Sequence, residues 1–566
     1  MKRAISTGIQ DFEKLRVNRD FYVDKTDFIR EWWTGRDDVT LITRPRRFGK
    51  TLNMSMLNCF FSNKYENRPE LFEGLKVWED PDMRKQQGKW PVISLSFAGV
   101  KATSYEQTRL EINEKLSQIL NPYASMMQNP MFTDADRRLF YSVQKEMDDS
   151  TAATSLHNLC NWLERYYKKK VLVFLDEYDT PLQEAYVNGY WDKLVAYIRG
   201  LFNNTFKTNP SMERGIMTGI TRVSKESIFS DLNNLEVLTT TSRKYADCFG
   251  FTEEEVFEAL EEQGFSEKDK QDVKTWYDGF TFGPVTDIYN PWSVTNYLDK
   301  RATGVYWANT SSNGMVGNLL RRGNPEIKKQ FETLLRGEYI EVSIDEQIVF
   351  NQLERRKNAI WSLLLASGYL KVLPVPEMRE SSFWEDPVYR LTITNLEVWI
   401  MFRNLVQEWF EPEGYLTDFV QAMLRGQVEE MNYYMNRIAL QTFSSFDTGN
   451  HPGGAEPERF YHGFVLGLMA EQTKNYSLRS NRESGFGRYD VVMEPRDSSG
   501  PAVIMEFKVQ NEMAGERTLE ETAQSALKQI EEKRYDTELK ERGIPAERIL
   551  KYGFAFQGKE VLIRKG

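Results

Sequence analysis

The sequence predicts a multidomain α/β protein, and three observations lead there. Strand-like apolar runs alternate with helical segments from the start of the chain to about residue 225. A polar break, Phe446-Asp-Thr-Gly-Asn-His-Pro-Gly-Gly-Ala455, sets off a C-terminal segment with its own strand–turn–strand pattern. The 566 residues suffice for three or four domains with separate cores, and contents of 40% hydrophobic and 13% aromatic residues argue for folded domains.

The first element to justify is the run Val39 to Thr51. Val39-Thr-Leu-Ile-Thr43 reads as a short buried strand, and Gly49-Lys50-Thr51 opens a helical segment that continues to Phe61. A strand, a tight turn and a helix N-terminus present backbone N–H groups and a positive dipole end to an anion. In a phosphate loop of this kind Lys50 reaches the β- and γ-phosphates of ATP, and the Thr51 hydroxyl ligates Mg²⁺. The full pattern is G-x-x-x-x-G-K-[ST]; Gly49 fills its second glycine, while Arg44 stands at the first. Pro45 confines Arg44 to extended backbone.

Val171-Leu-Val-Phe-Leu-Asp-Glu177 is an apolar run ending in two acids, as a central parallel strand delivering carboxylates to its C-terminal edge would be. Asp176 is expected to hold Mg²⁺ through water and Glu177 to orient or polarise the attacking water. A further strand-like run, Gly215 to Thr221, precedes Arg222. Thr218 or Thr221 could sense the γ-phosphate with Arg222 touching phosphate; a surface Arg and two structural threonines fit the same pattern. Arg46 and Arg47 are likewise divided between phosphate contacts and a basic rim.

Helical segments beginning at the capping-box pattern Phe251-Thr-Glu-Glu-Glu-Val256 run on to Trp276, and Gly279 to Pro291 reads as loop, with Pro291 near the start of another helix. The region from about 300 to 440 is largely helical. Within it, Ala359 to Val372 reads as helix, glycine stop and strand; Val388 to Ile393 reads as a strand able to pair with it; and Glu397 to Phe410 returns to helix. That order is winged-helix-like, serving DNA contact or acting as a rigid spacer; the acidic stretch Glu377 to Asp386 favours the spacer. The expected domains are 1–225, a nucleotide-binding core of the P-loop NTPase kind; 226–300, a helical lid; 301–445, the helical, winged-helix-like region; and 455–566.

In the last of these, Arg488-Tyr-Asp-Val-Val-Met-Glu494 and Ala502-Val-Ile-Met-Glu-Phe-Lys-Val509 flank a turn-like Pro495-Arg-Asp-Ser-Ser-Gly-Pro501. A hairpin centred near Ser498 makes Asp490 and Glu506 cross-strand neighbours, and strand alternation puts Lys508 on the face of Glu506. Two carboxylates so placed repel unless a cation bridges them or one is protonated. The trio Asp490…Glu506-Phe-Lys508 resembles the PD-(D/E)XK nuclease core, which implies that both acids hold Mg²⁺ and that Lys508 positions the attacking water or the scissile phosphate. Its setting agrees: a helix over Pro457 to Glu471, a weak first strand over Lys474 to Leu478, a helix over Leu519 to Tyr535 and a strand over Lys551 to Phe556. Glu458 could add a carboxylate and Gln529 a polar contact.

Phe21-Tyr-Val-Asp-Lys-Thr-Asp27, Arg44-Pro-Arg-Arg-Phe-Gly-Lys-Thr51, Phe174-Leu-Asp-Glu-Tyr-Asp-Thr-Pro181 and Trp276-Tyr-Asp-Gly-Phe280 together resemble the AAA-ATPase-like proteins abundant in gut Bacteroidetes. The resemblance spans nearly the whole chain and implies an ATPase core followed by a restriction-endonuclease-like α/β domain.

Composition narrows the rest. Cys59, Cys160 and Cys248 are far apart and form no C-x-x-C pair, so neither a disulfide framework nor a zinc ribbon is expected. No window approaches 18 uninterrupted apolar residues and no apolar leader opens the chain, so a cytosolic protein is expected, without a membrane partner. The net charge of −10 argues against a generally sticky nucleic-acid coat but leaves room for a local DNA or RNA surface. The expected function is an ATP-binding ATPase coupled to a Mg-dependent nuclease-like domain. The competing expectation is a nucleotide-gated scaffold whose nuclease-like domain only binds.

Overall fold

The computed structural model of the chain describes residues 3–221, 228–229, 232–308, 314–322, 325–344, 358–373, 388–408, 415–442, 475–484, 487–497, 500–510, 516–557 and 560–566. The chain divides into two compact units, Met1–Ser311 with Glu341–Val398, and Ser312–Ile340 with Trp399–Gly566. Arg222, the acidic stretch 377–386, the break 446–455, Glu458 and the helix expected over 457–471 lie outside the described residues.

The first unit is built on five strands, β1 (Val39–Thr43), β2 (Val92–Ser96), β3 (Val171–Asp176), β4 (Met212–Gly219) and β5 (Leu235–Leu238), in the order β2-β3-β4-β1-β5. All neighbouring pairs are parallel. β1 and β3 are buried along their whole length, which is why, up to the Asp176 that ends β3, they are written as runs of Val, Leu, Ile, Thr and Phe instead of alternating with charged residues. Helix Lys50–Phe61 leaves β1 and buries Met54, Met56, Leu57, Phe60 and Phe61 in a core shared with Trp32, Phe72 and Phe174. Because β4 lies between β3 and β1, the C-terminal ends of all three strands open on one edge of the sheet, where open α/β sheets bind ligands.

Beyond the sheet, Thr252 and Glu255 form the expected capping box on helix Glu253–Glu262, followed by helix Glu267–Tyr277. The segment expected to be a loop after Gly279 is instead a hairpin. β7 (Phe280–Phe282) and β8 (Val285–Tyr289) pair antiparallel, and β6 (Phe251–Thr252) completes a sheet in the order β6-β8-β7. Gly283 and Pro284, which made the segment read as loop, are the two-residue turn itself. Helix Pro291–Lys300 follows, with Pro at its first position and the Asn290 side chain accepting from the Trp292 N–H. Later in the chain β9 (Ile340–Ser343), β10 (Leu370–Val372) and β11 (Val388–Ile393) form a small sheet in the order β10-β11-β9, with β10 and β11 antiparallel.

The second unit holds a mixed sheet of β12 (Tyr476–Ser484), β13 (Gly487–Pro495), β14 (Ala502–Val509), β15 (Ile549–Gln557) and β16 (Glu560–Lys565), in sequential order. β14 and β15 are parallel, with helix Leu519–Glu532 in the crossover between them, and the other pairs are antiparallel. The sequence pattern predicts strands only as far as β15; β16 extends the series, a short strand whose Val561 and Ile563 are buried between charged ends. An edge strand exposes unpaired backbone groups, and here helix Val428–Thr442 covers them. Asn432 donates to the Ile563 carbonyl and accepts from its N–H at 2.9 and 2.7 Å, and Asn436 does the same to Val561 at 2.7 and 2.9 Å. Four helical residues rise about 6 Å and two strand residues about 6.8 Å, so one face of the helix matches the strand's repeat.

Candidate functional site

The sheet edge of the first unit gathers the predicted nucleotide residues. Gly49 precedes the helix in left-handed backbone, φ 80°, a conformation glycine adopts without strain. Lys50 is buried, and its ammonium donates to the carbonyls of Arg44 at 2.9 Å and Pro45 at 2.8 Å, so the lysine lies folded back along the loop. Burial lowers its pKa, while Glu177, Asp179 and Asp176 oppose that shift. The Thr51 hydroxyl donates to Asp176 Oδ2 at 2.8 Å, and Thr218, from β4, donates to Asp176 Oδ1 at 2.5 Å. Burial raises the Asp176 pKa against those two hydrogen bonds. A carboxylate and a hydroxyl side by side are hard oxygen donors of the type Mg²⁺ prefers, so this pair fits the ion.

Glu177 stands next to Asp176 in left-handed backbone, φ 51°, with its carboxylate accepting from the Thr180 hydroxyl at 3.2 Å. Of the two threonines left open by the sequence, Thr218 touches the strand-end carboxylate. Thr221 instead meets Asp179, whose Oδ2 accepts from the backbone N–H groups of Ile220 and Thr221 at 2.9 and 3.0 Å. Asp179, a residue to which the sequence pattern assigns no role, is a buried carboxylate tying the helix after β3 to the exit of β4.

The arginines separate. Arg44, at the first-glycine position, is fully buried, and its guanidinium donates to the carbonyls of Thr43 and Thr239 at 2.9 and 2.6 Å and lies 4.8 Å from the Phe282 ring centre. Burial pushes its pKa down to about 10. It therefore braces the loop from beneath and does not face a ligand. Arg46 is exposed and donates to Gln183 at 3.2 Å, and Arg47 lies over the Trp292 ring at 4.4 Å.

In the second unit, β13 and β14 pair Val491 with Met505, Val492 with Ile504 and Met493 with Val503. Continued by one residue, that register sets Asp490 opposite Glu506; the Asp490 side chain is outside the described part. Glu506 is 2% exposed, and Gln529, from the crossover helix, donates to its Oε1. Lys508 is partly buried, two residues along the same strand.

Two family models match this chain. Residues 6–229 match the model described as predicted AAA-ATPase, and residues 456–566 match that of the PD-(D/E)XK nuclease superfamily. An uncharacterized protein from the vnfD 5′ region of Azotobacter chroococcum mcd 1 is 24% identical over 557 residues, covering 96% of this chain and 95% of that one. The chain thus carries a predicted AAA-ATPase-like domain and a C-terminal PD-(D/E)XK nuclease superfamily domain. Among the described residues no helix is long and apolar enough to cross a membrane.

Proposed function

We propose that this chain is a Mg–ATP-dependent ATPase whose C-terminal domain is a metal-dependent nuclease acting on DNA or RNA. The observation that carries the first half is the pairing of Asp176 with the Thr51 and Thr218 hydroxyls beside Lys50, at the edge where three parallel strands end. In this reading Lys50 exchanges the Arg44 and Pro45 carbonyls for phosphate oxygens, and Gly49 lets the loop close on them. Thr51 and Asp176 would hold Mg²⁺, which would supply the positive charge that phosphoryl transfer calls for. Glu177, adjacent in sequence and held by Thr180, orients water, while exposed Arg46 and Arg47 supply positive charge at the rim.

The second half rests on the matched superfamily and on the β13–β14 register, with Asp490 and Glu506 as metal carboxylates and Lys508 beside them. A metal held there would supply an activated water and would neutralise phosphodiester charge that otherwise repels an anionic nucleophile. A scaffold that binds without cutting is the second reading, and the acidic balance of the chain, net charge −10, favours it. Incubation with plasmid, RNA and single-stranded DNA, with and without Mg²⁺, separates the two. Metal-dependent cutting lost in Glu506→Ala supports the nuclease, and intact polymers under every condition support the scaffold.

A further inference from the structure

A phosphate loop works when its peptide N–H groups converge on the ligand and its carbonyls point away. Glycines usually permit that backbone, but here Arg47 adopts φ 65°, a left-handed conformation unfavourable to a residue with a side chain. The peptide joining Arg46 to Arg47 is gripped at its carbonyl. The Trp307 indole N–H donates to Arg46 O at 3.0 Å, and the Asn290 amide donates to the same oxygen at 3.4 Å. In a trans peptide the N–H points opposite to the C=O, so holding this carbonyl toward Trp307 aims the Arg47 N–H the other way.

The grip is itself braced. Glu397 is fully buried, and its Oε1 accepts from the backbone N–H groups of Tyr306 and Trp307 at 2.6 Å each, while its Oε2 accepts from the Ser293 hydroxyl at 2.8 Å. Trp307 packs against Phe280 and Tyr369, with ring centres 5.4 and 5.5 Å away. Phe280 lies 4.8 Å from Phe48 of the loop, and Gly368 approaches Pro45 so closely that a Cβ would come within 2.8 Å of its ring. The residues that grip and brace the loop, from Phe280 to Glu397, lie beyond 229, outside the segment that matches the ATPase model.

We propose that Trp307 and Asn290 are positioning residues of the phosphate loop: they hold the Arg46–Arg47 peptide in its strained, N–H-inward orientation, so nucleotide affinity depends on Asn290, Trp307 and their brace Glu397. This rests on the ATP reading above. The test is Mg–ATP affinity of the full-length chain across four forms: wild type, Trp307→Phe, Arg47→Gly and the double variant. Phenylalanine retains an aromatic ring but has no N–H, and glycine at 47 adopts the left-handed backbone without help. Trp307→Phe should weaken binding about tenfold in the wild-type background, as loss of a hydrogen bond and release of strain would. In the Arg47→Gly background it should weaken binding about threefold or less, because the strain it restrains is gone. Asn290→Asp keeps the helix cap and removes the amide donor; it should lower affinity in the same direction and stands in if Trp307→Phe fails to fold. Equal losses in the two backgrounds would mean that Trp307 contributes only general packing, which overturns the assignment. So would unchanged affinity in Trp307→Phe while the wild type binds. A wild-type chain that binds no Mg–ATP brings down the nucleotide reading and this assignment together.

Discussion

The two candidate sites hold their key carboxylates in different ways. Asp176 ends a parallel strand and receives hydroxyls from two other elements, with a lysine beside it, so every neighbour can rearrange around an incoming ligand. Glu506 lies within a buried strand, and the amide from the crossover helix reaches one of its oxygens. The first arrangement suits a ligand that comes and goes with each turnover, the second a fixed ion that polarises a substrate arriving from outside.

The sharpest break of that comparison is at Glu506. Glu506→Ala or Asp490→Ala should abolish metal-dependent phosphodiester cleavage and leave ATP binding unchanged, and the double variant should lose no more than either single one. Cleavage assays beside nucleotide titrations read both. At the other site, Lys50→Ala should lower ATP affinity by about 100-fold, the scale of a charge-assisted contact, with cleavage under saturating metal as the control. Glu177→Gln should bind normally and fail to turn over ATP. Gln529→Leu should cost about 10- to 100-fold in metal affinity, since it removes the partner that orients a ligand; titration with Mn²⁺ measures it.

Smaller effects probe the frames around the sites. Asn432→Ala should destabilise the second unit by about 1–2 kcal/mol by leaving a carbonyl and an N–H of β16 without partners, measured by urea unfolding. For the same reason a fragment beginning near Gly454 should self-associate through the bared β16 edge, whereas one beginning at Tyr415 should stay monomeric in a sedimentation experiment. The smallest effect is a pH slope. Burial, with Asp287 nearby, raises the Asp278 pKa to about 6 against the pull of Lys274 and Lys371. Folding thus holds that proton more tightly than the unfolded chain does, so the contribution favours the folded state in acid and is lost as pH rises from 3.8 to about 6. Asp278→Asn should flatten the melting-temperature profile across that window relative to wild type.

The clustering of Lys50, Thr51 and Asp176 was legible because its signals are local. A buried strand, a Gly-Lys-Thr helix start and an acid pair ending another apolar run each carry their chemistry within a few residues. The β13–β14 register was legible too, since the composition of one turn located the hairpin's centre. What escaped depends on partners far away in sequence. Arg44 looked like a defect in a glycine pattern, yet it is a buried cation whose carbonyl partners include Thr239, 195 residues on. Asn432 and Asn436 look like ordinary helix polar residues until β16 is set beside them. Trp307 carries no motif, and only the fold brings its indole to the Arg46 carbonyl. Hairpin β7–β8 was missed because its turn residues outweighed three- and five-residue strands.

The most direct test of the central claim is calorimetric titration of ATP into the full-length chain, with and without Mg²⁺, for the wild type and Asp176→Asn. Mg²⁺ should strengthen binding to the wild type, and Asp176→Asn should lose this enhancement while still binding free ATP weakly through Lys50. Equal affinities with and without Mg²⁺ in the wild type, or an enhancement that survives in Asp176→Asn, would contradict it.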